Sequence, residues 1–372
     1  MRTFMLMFIL LASFSAVAKS NLIVITIDGL RWQEVFRGAD ENLIKHADFV
    51  QHPEVLKQVF WDPEPAVRRA KLMPFFWETL VKQGIAIGNR DIGSNMSAAN
   101  PWLFSYPGYS EIFTGRVDES LNSNQKIPNP NISFLEYLNN QPGYGSNIAV
   151  FAGWDVFPAI FNTQRSKLYV NAGFMPAPAP LTENTKLLNA LQQEIPSPWH
   201  NVRLDAFTYR FAKEYLLTEQ PSVLAIAFAE TDDFAHDGSY DQYLKAANRT
   251  DAFIQDLWET LQSMPKYRNN TTLLITTDHG RGSDAKQWQH HASRSAIEGY
   301  MKNLAEFPDG IVGSEHIWLA AIGPQISAKG QVTTLVEIEQ QQIAATALTL
   351  LGEDPVSFNP KAANMIKQVI EK

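Results

Sequence analysis

The stretch NLIVITIDG, residues 21–29, decides the fold class of this chain. Its first part, residues 21–27, is a mostly apolar and β-branched run, and Asp28 and Gly29 follow it directly. A continuous apolar run of this length is typical of a parallel strand that is buried on both faces of a sheet. Asp28 is therefore predicted at the carboxyl end of a strand, where wound α/β sheets bind their ligands.

Similar apolar runs recur along the chain and alternate with helical patterns. This alternation predicts an α/β fold with a wound, mainly parallel sheet that is flanked by helices. The segment 122–198 is rich in Pro, Asn and Gly, and we interpret it as a loop-rich insertion or cap between two parts of the core, 19–121 and 199–372. The further predicted strands are 147–151, 223–228, 271–276 and 317–322, and the main predicted helices are 72–82, 133–139, 241–264 and 336–351.

Composition excludes several classes of protein. With 372 residues, of which 45% are hydrophobic, the chain can bury one large domain with an insertion, or two domains. A formal net charge of −8 argues against binding to a nucleic-acid duplex. The chain contains no cysteine, which excludes a disulfide scaffold, a thiol nucleophile and thiolate metal sites.

The first 18 residues, MRTFMLMFILLASFSAVA, have the pattern of a secretory signal peptide. Arg2 precedes an apolar run, and Ala16-Val17-Ala18 is a small-residue cleavage site. The apolar run is shorter than the ~20 residues that a membrane span needs. We expect a secreted protein without a membrane span after cleavage, and the lack of cysteine favours a bacterial periplasm.

Carboxylates and imidazoles follow three of the predicted strands. In the segment AETDDFAHDG, residues 229–238, an acid and a histidine stand one helical turn apart, so they share a helix face. Mixed imidazole and carboxylate ligands suit zinc, and manganese less tightly. Each motif alone also fits an Asx turn, a helix cap or a surface histidine. In chain order the candidates are Asp28, Asp232, His236, Asp278, His279 and, after Trp288, either His290 or His291.

Ser105 stands in NPWLFSYPGYSEIFTG, residues 100–115, at the predicted start of a helix. A hydroxyl in this position lies near backbone N–H groups that favour an anion. An ordinary helix cap explains the same pattern.

As an ordered set, these motifs resemble the alkaline phosphatase superfamily, and most closely its nucleotide pyrophosphatase/phosphodiesterase-like branch. The resemblance implies an alkaline phosphatase-like core that holds two divalent metal ions, most often Zn²⁺, with Mn²⁺ as an alternative. It implies that Ser105 is the nucleophile and also contacts the first ion. The other implied ligands are Asp28, Asp278 and His279 for the first ion and Asp232, His236 and His291 for the second ion, and Asn122 or Asn124 is the implied oxyanion-binding residue.

The implied activity is hydrolysis of a small-molecule phosphoric ester through a phosphoserine intermediate, with phosphodiesters favoured over phosphomonoesters. By their positions, Arg31, Trp102, Tyr106 and Trp154 are candidate substrate contacts. A sulfatase of the same superfamily is an alternative, because Ser105 and Pro107 match part of the pattern for formylglycine formation; Tyr109, however, stands where that pattern has Arg. A non-catalytic periplasmic metal-binding protein is a further alternative. The sequence contains no signal for a particular oligomeric state.

Overall fold

A computed structural model describes residues 19–361 and 363–371, so the predicted signal peptide lies outside the described residues. The chain forms an eight-stranded sheet and a separate two-stranded sheet. The strands are β1 (Asn21–Ile27), β2 (Ile85–Ile87), β3 (Met96–Ser97), β4 (Ile148–Ala152), β5 (Tyr169–Ala172), β6 (Val223–Phe228), β7 (Thr271–Thr276), β8 (Leu319–Ile322), β9 (Gly330–Gln331) and β10 (Ile338–Glu339).

The large sheet has the order β5-β4-β6-β1-β7-β8-β2-β9, and β10 pairs with β3 in the small sheet. All pairs in the large sheet are parallel except those of β8, which runs antiparallel to β7 and β2. The apolar run 21–27 therefore forms β1, a central strand of the sheet. The predicted α/β fold with a wound, mainly parallel sheet is confirmed.

The side chains of β1 point alternately to the two faces of the sheet, so both faces are apolar. Each face lies in its own hydrophobic cluster and is covered by helices. Ile23 and Ile25 belong to one cluster, whereas Leu22 and Val24 belong to the other. The α-helices are α1 (Trp32–Arg37), α2 (Glu41–Ile44), α3 (Pro53–Phe60), α4 (Pro65–Leu72), α5 (Val81–Gln83), α6 (Ser105–Thr114), α7 (Phe134–Asn139), α8 (Phe157–Ile160), α9 (Thr163–Ser166), α10 (Glu183–Glu194), α11 (Asp205–Glu219), α12 (Glu230–His236), α13 (Tyr240–Ser263), α14 (Arg294–Glu298), α15 (Gln342–Leu350), α16 (Pro355–Phe358) and α17 (Lys367–Ile370).

The structure refines three expectations from the sequence. The predicted helix 72–82 is helical apart from Met73, but it is divided between the end of α4, a π-helical turn at Phe76–Leu80 and the short α5. The predicted helix 336–351 begins with β10, and only its second part is helical, as α15. The segment 122–198 supplies β4 and β5 to the large sheet, so it is at least partly core; β4 pairs with β6 through backbone hydrogen bonds.

Within the described residues, no helix combines the length and the apolar character that a membrane crossing requires.

Asp251 links the long helix α13 to the segment after α4 through hydrogen bonds. Its carboxylate is 1% exposed and accepts hydrogen bonds from the backbone N–H groups of Phe75, at 2.7 Å, and Phe76, at 2.9 Å. Burial raises the pKa of this carboxyl to about 7, although the two N–H donors oppose the shift.

We expect Asp251→Ala to lower the free energy of unfolding by about 2–4 kcal/mol, because two buried N–H groups lose their acceptor. Urea unfolding of the purified variant measures this change. Gln255→Ala, at an exposed position of the same helix, is the matched control and should change it by less than about 0.5 kcal/mol. Equal effects of the two substitutions would contradict the role given to Asp251.

Candidate functional site

Three neighbouring strands bring the predicted site residues to one edge of the sheet. β1 lies between β6 and β7, and all three run parallel. Because Ile27 pairs with Phe228 and Thr26 with Thr276, the carboxyl ends of these strands are adjacent. Asp28 follows β1, α12 follows β6, and Asp278 follows β7 shortly after its end.

The first group of side chains surrounds the imidazole of His279. Its Nε2 atom lies 3.4 Å from Asp28 Oδ1, 3.4 Å from Asp278 Oδ2 and 3.2 Å from Ser105 Oγ. Asp278 and His279 are completely buried, and Asp28 is 4% exposed. The structure thus brings together the four residues that the sequence predicted for the first metal ion.

The second group lies beside the first, and Asp232 joins the two. His236 Nε2 lies 3.1 Å from His291 Nε2 and 3.2 Å from Asp232 Oδ2. The other oxygen, Asp232 Oδ1, lies 3.6 Å from His291 Nε2 and 3.8 Å from His279 Nε2. Asp232, His236 and His291 can supply ligand atoms within 4.8 Å of one another, and so can Asp28, Asp232 and His279.

His290 does not belong to either group. Its ring is half-buried and packs 5.6 Å from the ring of Phe307. Burial and the charge of Arg281 lower the pKa of His290 to about 4. Of the two adjacent histidines, the geometry therefore places His291, and not His290, among the clustered carboxylates.

Two oxygens of the cluster lack a hydrogen-bond partner among the described residues. Asp28 Oδ1 and Asp278 Oδ2 are both buried and both face His279. Burial and the neighbouring carboxylates raise the pKa of Asp28 well above its usual value, and burial also raises the pKa of Asp278. Buried carboxylate oxygens without donors are costly, so these atoms fit a site for divalent cations.

Asp232 is held in its charged form by its neighbours. Burial alone would raise its pKa, but His236 and the guanidinium of Arg281 hold the pKa of Asp232 well below its usual range. Arg281 Nη1 donates a hydrogen bond to Asp232 Oδ1. Its Nε atom donates to the carbonyl of Trp288 at 3.1 Å. This buried arginine therefore orients a carboxylate of the cluster.

Backbone carbonyls set the tautomer of two histidines. His279 Nδ1 lies 2.9 Å from the carbonyl oxygen of Gly280, and His291 Nδ1 lies 3.1 Å from that of Leu103. A carbonyl oxygen can only accept, so each Nδ1 carries a proton and each Nε2 faces the cluster. Metal-binding histidines commonly have this arrangement.

Close backbone approaches at two glycines allow the cluster to form. Gly29 has φ +58°, and a Cβ atom there would lie 2.7 Å from Asp232 Oδ1. At Gly108, in α6, a Cβ atom would lie 2.4 Å from the carbonyl oxygen of Asp278. A side chain at either position would push α6 or Asp232 away from the site, and Ser105 at the start of α6 would move with the helix.

Tyr109 is a site residue that the sequence reasoning missed. It stands on α6 one turn after Ser105, and its hydroxyl donates a hydrogen bond to Asp28 Oδ2 at 3.0 Å. The spacing of four residues from Ser105 in the motif SYPGY is the signal that could have identified it.

The cluster opens into a cleft of about 660 Å³. Asn124 lines this cleft, whereas Asn122 is exposed and is not among the lining residues. Asn124 Oδ1 accepts a hydrogen bond from the backbone N–H of Tyr106 at 3.0 Å, which leaves the amide Nδ2 as a donor. Beyond the predicted residues Asp28, Ser105, Asn124, Trp154, Asp232 and His236, the lining includes Lys126, Asp155, His200 and Tyr300, which sequence reasoning missed.

Of the four candidate substrate contacts, Trp154 lines the cleft, whereas Arg31, Trp102 and Tyr106 are not among its lining residues. Arg31 is 1% exposed and donates to both carboxylate oxygens of Glu34 and to the carbonyl of Gly282, so its donors face the protein interior. The hydroxyl of Tyr106 donates to the carbonyl of Ile127 at 2.6 Å.

Trp102 contacts the neighbouring loops. Its indole Nε1 donates to the carbonyl of Glu119 at 3.2 Å, and its ring packs against the small hydrophobic cluster that contains Phe104. The hydrogen bonds of Arg31, Trp102 and Tyr106 thus go to the surrounding protein, and their contact with substrate stays a prediction.

Comparisons with solved structures support the fold. The chain is similar to the alkaline phosphatase PafA, with 12% identity over 95% of this chain and 100% of that chain and a TM-score of 0.56. A protein of the alkaline phosphatase superfamily from Vibrio parahaemolyticus has 12% identity over 90% of this chain and 67% of that chain, with a TM-score of 0.51. A 2-O GAG sulfatase has 13% identity over 95% and 76%, with a TM-score of 0.56.

No curated protein matches the chain significantly. Residues 45–293, however, match the family described as type I phosphodiesterase / nucleotide pyrophosphatase. This range is more than half of the 372 residues. The chain belongs to the type I phosphodiesterase / nucleotide pyrophosphatase family of metal-dependent phosphoester hydrolases, and its fold is similar to that of alkaline phosphatases.

Proposed function

We propose that this protein hydrolyses small phosphodiesters through a phosphoserine formed on Ser105. One observation carries the proposal: Ser105 Oγ lies in the cleft and 3.2 Å from His279 Nε2, beside the unpartnered oxygens of Asp28 and Asp278. The family match supports the reaction type, and the convergence of carboxylates and imidazoles supports the metal dependence.

The two groups of side chains would hold two divalent cations. Zn²⁺ is our first choice, because three imidazole ligands favour a softer ion than Mg²⁺ or Ca²⁺, and Mn²⁺ is the alternative. When bound, such a pair of cations stabilises negative charge on the attacking and leaving oxygens of an in-line displacement. The proposed ligands are Asp28, Ser105, Asp278 and His279 for one ion and Asp232, His236 and His291 for the other.

The chemistry that the protein's own residues supply begins at Ser105. Its Oγ loses a proton to solvent and attacks phosphorus, which forms the serine–phosphorus bond and breaks the bond to the leaving alkoxide. Water then cleaves the phosphoserine and restores the hydroxyl. Asn124 Nδ2 is placed to donate to a non-bridging phosphate oxygen, and the N-terminus of α6 favours the same negative charge.

The size of the cleft favours a diester over a monoester. Past Ser105 it continues along Lys126, Trp154 and Asp155, which offers space for a second ester group. A phosphomonoesterase is the alternative within the same superfamily. Sulfatases share the fold, as the similarity to the 2-O GAG sulfatase shows, so the fold alone does not separate sulfate from phosphate esters.

Three chromogenic substrates distinguish these activities. We expect the zinc-loaded protein to hydrolyse bis-p-nitrophenyl phosphate faster than p-nitrophenyl phosphate, and p-nitrophenyl sulfate least. A preference for the monoester would favour a phosphatase. Cleavage of sulfate alone would contradict the proposal, and binding of metal without any turnover would identify a non-catalytic metal-binding protein.

We also propose that the protein is secreted, in a bacterial host into the periplasm. The pattern of residues 1–18 supports this location. Cell fractionation with N-terminal sequencing of the mature protein tests it, and we expect the mature chain to begin at Lys19.

We expect Ser105→Ala to reduce diester turnover by at least about 10³-fold, because the nucleophile is lost. Its metal content should stay near that of the parent, since the carboxylate and imidazole groups remain. Ser110→Ala, at a buried serine on the same helix, is the control and should keep most of the activity. If Ser105→Ala keeps most of its activity, another group is the nucleophile.

We expect His291→Ala to bind fewer metal ions per chain than the parent, because it removes an Nε2 atom of the second group. His290→Ala should retain the full content, since its ring lies against Phe307. Elemental analysis after gel filtration measures both variants. The reverse order would mean that the neighbouring histidine is the ligand.

We expect Asn124→Ala to lower kcat by about 10²–10³-fold, which is the usual cost of removing one donor to transition-state charge. Asn122→Ala should have little effect, because Asn122 does not line the cleft. Steady-state kinetics with the diester substrate measure both. An unchanged kcat in Asn124→Ala would remove Asn124 from the proposed mechanism.

A further inference from the structure

The loop before the nucleophile also touches the second group of ligands. Leu103 lies two residues before Ser105, and its carbonyl oxygen accepts the hydrogen bond from His291 Nδ1 at 3.1 Å. The neighbouring carbonyl of Trp102 accepts from the backbone N–H of Ser293 at 3.1 Å. Two hydrogen bonds thus tie residues 102–103 to the segment that carries His291.

The position of this carbonyl depends on an unusual backbone conformation. Leu103 has φ +58°, in the left-handed region that a residue with a Cβ atom rarely adopts. Such a conformation persists only where the surrounding structure imposes it. The orientation of the His291 ring therefore depends on the contacts that keep Leu103 in this conformation.

The side chain of Asn100 holds this turn. Its Oδ1 atom accepts hydrogen bonds from the backbone N–H groups of Leu103, at 2.9 Å, and Trp102, at 3.2 Å. Its Nδ2 atom donates to Glu111 Oε2 at 2.9 Å. Asn100 is 3% exposed, so water cannot readily replace these partners.

Glu111 anchors Asn100 to the helix that begins with Ser105. It is completely buried in α6 and accepts further hydrogen bonds from the backbone N–H groups of Ala99, at 3.0 Å, Asn100, at 2.9 Å, and Gln341, at 3.0 Å. Burial raises the pKa of this carboxyl to about 7, against the effect of these donors. A carboxylate with this many donors has one well-defined orientation.

We propose that Asn100 and Glu111 are positioning residues, which hold Leu103 in its left-handed conformation so that its carbonyl directs His291 Nε2 into the second metal site. The hydrogen bonds run from Glu111 to Asn100, then to Leu103 and to His291, and the same loop leads into Ser105. The buried carboxylate of Glu111 thereby sets the distance between Ser105 and His291, which lie far apart in the sequence. The inference rests on the proposed function, because it takes His291 as a ligand.

The test compares the full-length mature protein with Asn100→Ala and with a matched control, Asn129→Ala. Asn129 is also a buried asparagine bonded to α6: its Nδ2 atom donates to Ser110 Oγ at 3.0 Å, and its Oδ1 atom accepts from the N–H of Asn131 at 2.9 Å. None of these hydrogen bonds involves Leu103 or His291. The control therefore reports the cost of losing a buried asparagine without disturbing the proposed positioning.

Two measurements separate positioning from stability. Nitrogen-15 NMR of the imidazoles in the metal-free protein, with the His291 signals identified by their loss in His291→Gln, reports which nitrogen carries the proton. We expect Nδ1–H in the parent and in Asn129→Ala, and a mixture of tautomers in Asn100→Ala. Zinc titration should show that Asn100→Ala keeps one ion at parental affinity and binds the other about 10–100-fold more weakly.

An Asn100→Ala variant with the parental His291 tautomer and two parental zinc affinities would overturn the proposal, even if its stability fell. If this variant does not fold, Asn100→Ser replaces it, because its shorter side chain cannot bridge Leu103 and Glu111, and the same two outcomes decide. Failure of the proposed function has a different signature, since the parent itself would then bind fewer than two zinc ions or fail to hydrolyse the diester. The tautomer measurement would still test the positioning in that case.

Discussion

The site depends on the burial of acidic side chains that the protein alone does not neutralise. Asp28, Asp232 and Asp278 converge at the ends of three adjacent strands, and one oxygen each of Asp28 and Asp278 lacks a hydrogen-bond donor among the described residues. Such groups are costly in a protein interior unless a cation lies beside them. Bound cations would neutralise this buried charge, and the Nε2 atoms of His236, His279 and His291 lie around the same point.

The rest of the fold serves to hold this cluster in place. The parallel pairing of β1 with β6 and β7 aligns the ends of the strands, and Gly108 lets α6 approach the backbone of Asp278. Carbonyl groups of loops hold the histidines, and the carboxylate of Glu111 holds one of those loops. Tyr109 and Arg281 each donate to a carboxylate of the cluster, so the ligands are oriented by neighbours that do not themselves belong to the ligand groups.

The apolar runs predicted the core of the sheet, and the family resemblance identified the residues that cluster at its edge. Continuous apolar runs marked β1, β6 and β7, and polar residues directly after such runs fall at one edge of any parallel sheet. Short strands such as β9 and β10 carry too few residues to show a period, and β10 lies near the start of a segment whose pattern predicts a helix. Arg31 and Tyr106 illustrate a further limit, because proximity in sequence to a site residue does not determine which way a side chain points. Arg31 pairs with Glu34, three residues along the chain, whereas Tyr106 is held by a more distant contact with the carbonyl of Ile127.

The central claim is that two divalent cations neutralise the buried carboxylates, and a count of metal ions combined with thermal unfolding tests it most directly. Elemental analysis of the purified protein should give about two ions per chain, zinc being the first choice, and their removal by a chelator should lower Tm, with recovery when zinc is restored. A protein that contains no bound metal after exposure to zinc, and whose Tm is the same with and without chelator, would contradict the account.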